Sequence, residues 1–310
     1  MVLYFSNKVC LNFAISYDNI ALTLKVVIKF LAKKSFFNLL NVIISSLRDI
    51  HLKLSILQES QTIQSILFRF FGWKISLLFG DPSTFDRFNW LKRYLKGGML
   101  RTLDAGCGTG AFTFYAAGIG NESLGISFDK RNTEVANARA QLLDLKNAKF
   151  IQLDLRDLPR VTKDIGLFDQ IICFETIEHI MDDFLVIKNL SNLLKVGGKL
   201  ILTAPYKHYN HLLGDKLSLT EDGGHVRWGY THEEIENLFT ANGLELEVKE
   251  YISGFFTQQL INLQRILSYL NWLIASIIIF PLRVIICFDI PFTRIINYPF
   301  LSIGVVGVKR

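Results

Sequence analysis

The 310-residue chain has only four cysteines, Cys10, Cys107, Cys173 and Cys287, and no two stand at C-x-x-C spacing. That excludes a disulfide framework and a cysteine-based zinc site, and fits a reducing cytosol. There is no internal repeat and no low-complexity tract. The first residues lack the compact basic region of a secretory signal, and Lys8, Asp18 and Lys25 interrupt the apolar stretches there. The longest uncharged run of the apolar C-terminal part, Ile266–Leu282, has 17 residues, at the lower limit for a membrane-spanning helix.

What the chain does have is positive charge and greasiness together. A formal net charge of +6 and a pI near 9.0 call for an anionic neighbour, nucleic acid or a membrane surface. A mean hydropathy of +0.29 and 25 phenylalanines favour the membrane, and no nucleic acid is expected. The length accommodates one doubly wound domain with a sizeable core, plus extensions.

The most informative segment is Leu103-Asp104-Ala105-Gly106-Cys107-Gly108-Thr109-Gly110. An apolar strand ends in an acid, and alternating glycines follow before a helical pattern begins. Glycines so spaced turn the backbone tightly and let a ligand lie against it. The spacing is G-x-G-x-G rather than G-x-G-x-x-G, which disfavours a dinucleotide site. Downstream, Glu122–Phe128 reads as a second strand, and Lys130–Leu145 as a helix with Val135, Ala138 and Leu142 on its apolar face. Ala148–Leu153 and Phe168–Phe174 read as third and fourth strands. Phe184, Ile187, Leu190 and Leu194 mark the core face of the next helix, which Gly197-Gly198 breaks before a fifth strand, Lys199–Ala204. Alternating strands and helices predict a parallel sheet with ligands at its carboxyl edge.

These pieces resemble the class I S-adenosylmethionine-dependent methyltransferases, in their small-molecule "type 11" branch. The matching segments are LDAGCGTG (103–110), FIQLDLRDLP (150–159), FDQIICFETIEHI (168–180), LLKVGGKLILTAP (193–205) and GHVRWGYTHEEIENLF (224–239). They cover roughly residues 85–252, about half the chain. The resemblance implies a mostly parallel seven-stranded Rossmann-like sheet, with S-adenosyl-L-methionine as cofactor. It places Gly106, Gly108 and Gly110 under the methionine and ribose, with Asp104 near the ammonium. It gives Asp154 the adenine amine and the Leu155 N–H the adenine ring, and adds Cys107 and Phe174 to the cofactor-binding set. Strand-end acids capping the next helix are the structural alternative for Asp104 and Asp154. The family's ribose-chelating acid is missing: Ser127 stands there and can make one hydrogen bond but not a bidentate pair. Asp129 either reaches the ribose instead or caps the following helix.

Methyl transfer is an in-line displacement at a sulfonium, accelerated largely by alignment and exclusion of water. A general base is needed only if the acceptor loses a proton. His179 and His225 are the candidates; the alternatives are structural packing for His179, and loop-ordering hydrogen bonds for His225 and Arg227. No metal ligands are assigned. The D/N-P-P-aromatic turn of nucleic-acid amino methyltransferases is absent, since strand four runs into Cys173-Phe174-Glu175-Thr176, with no proline.

Residues 1–80 form a basic, apolar helical extension, in which Lys25, Lys29 and Lys33 share one face. Its aromatic part, Ile63–Phe79, is expected to cover the cofactor cleft or touch lipid. Residues 81–254 form the methyltransferase domain, in which Thr231-His232-Glu233-Glu234 opens a helix with a capping box and Leu244–Ile252 is strand six. Residues 255–300 are a hydrophobic insertion, and strand seven lies in 301–310. Because strands six and seven share a sheet, the insertion leaves and returns on one side, and Arg283, Asp289 and Pro291 interrupt a second span. A shallow hairpin or interfacial helices is expected, with Arg265, Tyr269 and Trp272 at the headgroups; a protein-covered lid is the alternative.

The sequence therefore reads as a cytoplasmic, membrane-associated methyltransferase acting on a small or lipid-like acceptor, with oxygen favoured as acceptor atom. A prenylated quinone precursor, a lipid-linked sugar or a hydrophobic metabolite would suit it. Two other readings are a soluble methyltransferase whose insertion makes a homodimer interface, and a non-catalytic cofactor-binding scaffold.

Overall fold

The computed structural model describes residue 68 and residues 70–310. Two helices, α1 (Ile75–Phe79) and α2 (Pro82–Tyr94), lead into the sheet. Asp81 caps α2 by accepting from the Ser83 N–H at 2.8 Å, and Pro82 occupies the first turn, where an N–H would have no partner. Then come β1 (Arg101–Ala105), α3 (Ala111–Gly118), β2 (Glu122–Ser127), α4 (Lys130–Leu142), β3 (Ala148–Gln152), α5 (Leu158–Ile165), β4 (Phe168–Phe174) and α6 (Asp183–Leu193). The chain continues through β5 (Leu194–Pro205), α7 (His232–Thr240), β6 (Leu244–Ile252), α8 (Phe255–Ser268), α9 (Trp272–Leu282), α10 (Asp289–Ile295) and β7 (Ser302–Lys309).

The seven strands make one sheet in the order β3-β2-β1-β4-β5-β7-β6, parallel except for β7, which runs antiparallel to both neighbours. The sequence expectation of a mostly parallel seven-stranded α/β sheet holds. Neighbouring residues such as Ile171 and Ile172, or Leu200 and Ile201, enter separate hydrophobic clusters on the two faces. Covered faces on both sides are why these strands read as continuous apolar runs rather than alternating ones. Strand order reverses at β1 and β4, and ligands of such sheets bind beyond the carboxyl ends there.

Several boundaries differ from expectation. Helix α4 ends at Leu142 and buries Thr133, Ala136 and Ala140, leaving Leu142 exposed. Small side chains let α4 approach the Phe114 and Phe150 rings, and that close fit outweighs the apolar spacing of Val135, Ala138 and Leu142. Gly197-Gly198 does not separate helix from strand: β5 already starts at Leu194, which pairs with Phe168, and a register shift absorbs the glycines. Phe184 is exposed, whereas Ile187 and Leu190 are buried as expected. The Thr231 capping box is present, with Thr231 and Glu234 each accepting from the other's backbone N–H.

The run Ile266–Leu282 is not one helix. Helix α8 ends at Ser268, and Asn271 caps α9 by accepting from Leu273 N at 2.8 Å. From Trp272 to Ile295 the chain is continuously helical for 24 residues, long and apolar enough by length and composition to cross a membrane. Of its three charges, Arg283 and Asp289 are buried and Arg294 is exposed. Arg283 donates to the carbonyls of Leu77 and Gly80, and Asp289 accepts from the backbone of Gly254, Phe256 and Thr257. Arg283 and Asp289 thus pin the insertion to the domain instead of breaking its apolar surface, which carries exposed Ile277, Val284, Phe288 and Ile295.

The helix predicted around Lys25, Lys29 and Lys33 lies outside the described residues, as does Cys10. In the aromatic segment, Phe68 packs edge-on to Phe114 and Trp73 against Phe88 and Tyr115. These rings cover a flank of the sheet rather than the cofactor cleft. Phe70 and Phe71 point outward.

Candidate active site

Strand β1 runs directly into the glycine loop, whose Gly106 and Cys107 N–H groups both donate to the Ile126 carbonyl at 2.9 Å, tying it to the end of β2. Gly106 has a φ of +85°, and a Cβ there would lie 2.2 Å from Thr176 Oγ1. Gly108 has a φ of +52°, and a Cβ there would meet nothing within 4 Å. The first glycine lets two loops touch; the second faces open space. That space is a cavity of about 330 Å³.

Gly106, Gly108, Ser127, Asp129, Asp154, Leu155 and His179 all line this cavity, so the structure brings together most residues that the motifs singled out. Four of the proposed cofactor residues are not on its walls. Asp104 is buried beneath the loop, where its carboxylate accepts from Thr113 Oγ1 at 2.7 Å and burial pushes its pKa up to about 6. Gly110 packs against the rings of Phe114 and Phe150. Cys107 turns toward Gly125, and burial pushes its thiol up, away from reactivity. Phe174 is buried against Trp90 and Phe112. These four shape the loop and its bed.

At the ribose end, Ser127 Oγ accepts from the Asp129 N–H at 3.3 Å. Asp129 caps α4, its Oδ1 accepting from Arg131 N at 2.7 Å, and among the described residues its Oδ2 has no hydrogen-bond partner. Asp129 therefore caps the helix through Oδ1, on the wall of the cavity. Asp154 is more heavily engaged. Both of its oxygens accept from the Arg156 guanidinium, at 2.6–3.1 Å, and this fork holds the carboxyl below its usual range. Arg156 continues to Glu221, on the loop between β5 and α7.

Beyond β4 lies the acid–histidine cluster. Glu175 has a φ of +44°, rare for a residue with a side chain, and its Oε2 lies 3.5 Å from Arg87 Nη2. Glu178 is fully buried with no hydrogen-bond partner for either oxygen, and burial, then the nearby Glu175 charge, pushes its carboxyl well above the usual range. His179 Nδ1 lies 3.0 Å from the Gly224 carbonyl, which can only accept, so Nδ1 carries a proton. His225 stands edge-on to His179 with centroids 4.7 Å apart. Burial, and then the His179 charge, lower the His225 pKa and favour neutral imidazole.

His225 lines a second cavity, of about 660 Å³, together with Asp215, Trp228, Ile261 and Arg265. The two histidines thus sit at the seam between the cavities, where a neutral imidazole can accept a proton from a hydroxyl. Ligand atoms of Glu178, His179 and His225 also lie within 4.8 Å of one another, a carboxylate–imidazole set that could hold a divalent metal. Arg227, by contrast, is a loop-ordering residue: it bonds Asp183, the Tyr230 hydroxyl and the carbonyls of Ile180 and Met181.

Arg87, Arg156, Glu175, Glu178 and Glu221 were not among the sequence candidates. Glu175 follows β4 directly, and an acid at a strand's carboxyl end was the readable sign of it. Arg156 and Glu221 are 65 residues apart, and nothing local announces their pairing.

A methyltransferase-domain family model matches residues 96–243. The ubiquinone biosynthesis O-methyltransferase of Coxiella burnetii is 33% identical over 119 residues, 38% of this chain and 48% of that protein. Its counterpart in Acinetobacter baylyi is 31% identical over 114 residues, 36% of this chain and 47% of that one. The chain spans about half the length of these curated relatives. Among solved structures, Haemonchus contortus phosphoethanolamine N-methyltransferase 2 with S-adenosyl-L-methionine superposes at TM-score 0.52 and 17% identity, covering 85% of this chain and 60% of that one. The cyclase SpnF superposes at 0.51 and 20% identity, covering 72% and 81%. Likeness this distant speaks for the fold, and one fold serves several reactions. The matched family model, the strand order and the glycine loop agree that residues 96–243 form a methyltransferase domain of the class I, S-adenosylmethionine-dependent kind.

Proposed function

We propose that the protein moves the methyl group of S-adenosylmethionine to an oxygen of a small or lipid-like acceptor at a membrane surface. The observation that carries this reading is the histidine pair at the seam of the two cavities. The cofactor lies in the smaller cavity, its ribose near Ser127 and Asp129 and its adenine near Asp154 and Leu155. The acceptor occupies the larger one. His225 takes the hydroxyl proton as the oxygen attacks the S-methyl carbon and S-adenosylhomocysteine leaves. Holding both reactants in line and dry supplies much of the acceleration. The relatives named for ubiquinone biosynthesis O-methylation support an oxygen acceptor on an apolar molecule.

Membrane contact rests on the insertion. Its outward face carries Ile277, Val284, Phe288 and Ile295, with Arg283 and Asp289 buried, and α8 lends Ile261 and Arg265 to the acceptor cavity. A surface-lying helix of this kind binds by apolar burial that salt does not screen. The test incubates the full chain with S-adenosylmethionine carrying a labelled methyl group and a fractionated lipid extract, alongside flotation on anionic vesicles. Label in an O-methyl ether of a lipid-phase product, with co-flotation that resists high salt, is the expected result. Label in water-soluble products, with a protein that stays off vesicles as a dimer, would replace the membrane reading with the dimer-interface one.

A further inference from the structure

Residues 206–231 join β5 to α7 and lie against both cavities, Glu221 and Gly223 lining the smaller and Asp215 and His225 the larger. The two limbs of this loop are anchored many times over. In the first, Asp215 accepts from the Tyr209 hydroxyl at 2.6 Å and from Leu212 N at 2.9 Å, and meets Arg265 of α8 at 2.6 Å. In the second, the Gly224 carbonyl accepts from His179, Val226 N donates to the Glu178 carbonyl at 2.9 Å, and Arg227 bonds three partners beyond the loop.

The apex, residues 216–223, is different. Among the described residues, its hydrogen bonds to the rest of the domain all run through one carboxylate. Glu221 accepts from Met181 N at 2.5 Å with Oε1 and from Arg156 with Oε2. Its other hydrogen bonds, such as Ser218 N to the His225 carbonyl and Thr220 N to Ser218 Oγ, stay within the loop. Apolar packing does not replace them at the tip, where Leu219 is 91% exposed. The two partners of Glu221 come from different parts of the domain: Arg156, which lines the small cavity, follows β3, and Met181 follows β4, next to the lining residue Ile180. The guanidinium that holds Glu221 also occupies Asp154, so the tie crosses the cavity at its adenine end.

We propose that residues 216–223 are a lid on the smaller cavity and that Glu221, held by Arg156 and Met181 N, is its latch, setting how fast the adenosyl cofactor and its product enter and leave. The proposal rests on reading that cavity as the cofactor site. A latch of this kind acts on rates in both directions, because opening precedes entry and exit alike. The bound state is stabilised chiefly by the walls beneath, so affinity changes little when the latch is cut.

The experiment measures binding of S-adenosylhomocysteine to the full chain by stopped-flow tryptophan fluorescence, for the wild type, Glu221→Gln and Glu221→Ala. Both variants are expected to raise association and dissociation rates together by about tenfold, the scale on which one charge-assisted hydrogen bond acts, with Kd shifted by less than about threefold. Amide exchange is expected to quicken across 216–223 while β4 stays protected, which also shows that the variants are folded. Unchanged rates would overturn the latch, and so would a dissociation rate that rises alone, since Glu221 would then be a simple wall contact. Gly108→Asn separates this failure from that of the underlying reading. If Gly108→Asn weakens Kd while Glu221→Gln leaves the rates alone, the cofactor site stands and the latch falls. If Gly108→Asn leaves Kd unchanged, the cavity is not the cofactor site and the latch falls with it.

Discussion

The two halves of the sheet meet their ligands in different ways. On the β1–β4 side, the smaller cavity, proposed for the cofactor, is built mostly from short-range features, a glycine loop and the helix caps Asp129 and Asp154, each within a few residues of the strand that positions it, with Glu221 and Gly223 added from the long loop. On the β5–β7 side, the larger cavity, proposed for the acceptor, is made of side chains from far apart, His225 from a long loop and Ile261 and Arg265 from an insertion placed between adjacent strands. The first kind of site is built by local turn chemistry. The second exists only once the whole domain has packed.

That contrast can be tested most sharply at the histidines. Replacing His225 with alanine is expected to lower kcat by about 10²–10⁴-fold, the range of general-base contributions, while Kd for S-adenosylhomocysteine stays within about threefold. A matched loss of cofactor affinity would merge the two cavities into one functional unit and end the comparison. The next effect in size belongs to the glycines. Gly108→Asn, at a φ that asparagine tolerates, is expected to weaken cofactor binding by about 10–100-fold, the 1–3 kcal/mol of an overfilled contact, with an unchanged melting temperature. Gly106→Ala is expected to lower the melting temperature instead, because its new methyl group meets Thr176. Calorimetric titration beside thermal melts separates the two.

The smallest effect concerns the joint between the domain and its insertion. Asp86 of α2 accepts from Thr257 Oγ1 of α8 at 2.7 Å, and burial raises its pKa from 3.8 to about 7. An acid whose folded-state value is raised makes the folded chain hold the extra proton between those values, so stability falls as pH rises from about 4 to 7. Asp86→Asn is expected to flatten that fall by up to about 1.4 kcal/mol per pH unit in urea titrations. An unaltered slope would show that the insertion is not held through this carboxyl.

Legibility followed the same division. The succession of strands and helices, the capping box at Thr231, and the places of Gly106, Gly108, Ser127, Asp129, Asp154 and Leu155 on the cavity wall could be read because each depends on residues close in sequence. Asp104, Cys107, Gly110 and Phe174 belonged to the right motif but serve its underside: a linear pattern gives the strand, not which face of the loop a side chain takes. Of the two readings of Asp129, the structure shows the helix cap. The face of α4 was misjudged because helix-to-sheet distance, set by Ala136 and Ala140, outweighed apolar spacing. Arg283 and Asp289 looked like interruptions because hydropathy counts a charge without knowing which way it points. Glu221 with Arg156, and Glu178 with His225, had no local sign at all.

The position of β7 has a consequence for the order in which the molecule can assemble. It lies between β5 and β6, buried along almost its whole length, yet the entire insertion precedes it in the chain. During synthesis the parallel half can close on itself, while β5 and β6 wait with open edges for a strand not yet made. The greasy helices emerge in that interval. Apolar surface and open strand edges are therefore exposed together before the sheet is complete, the condition under which partly folded chains aggregate.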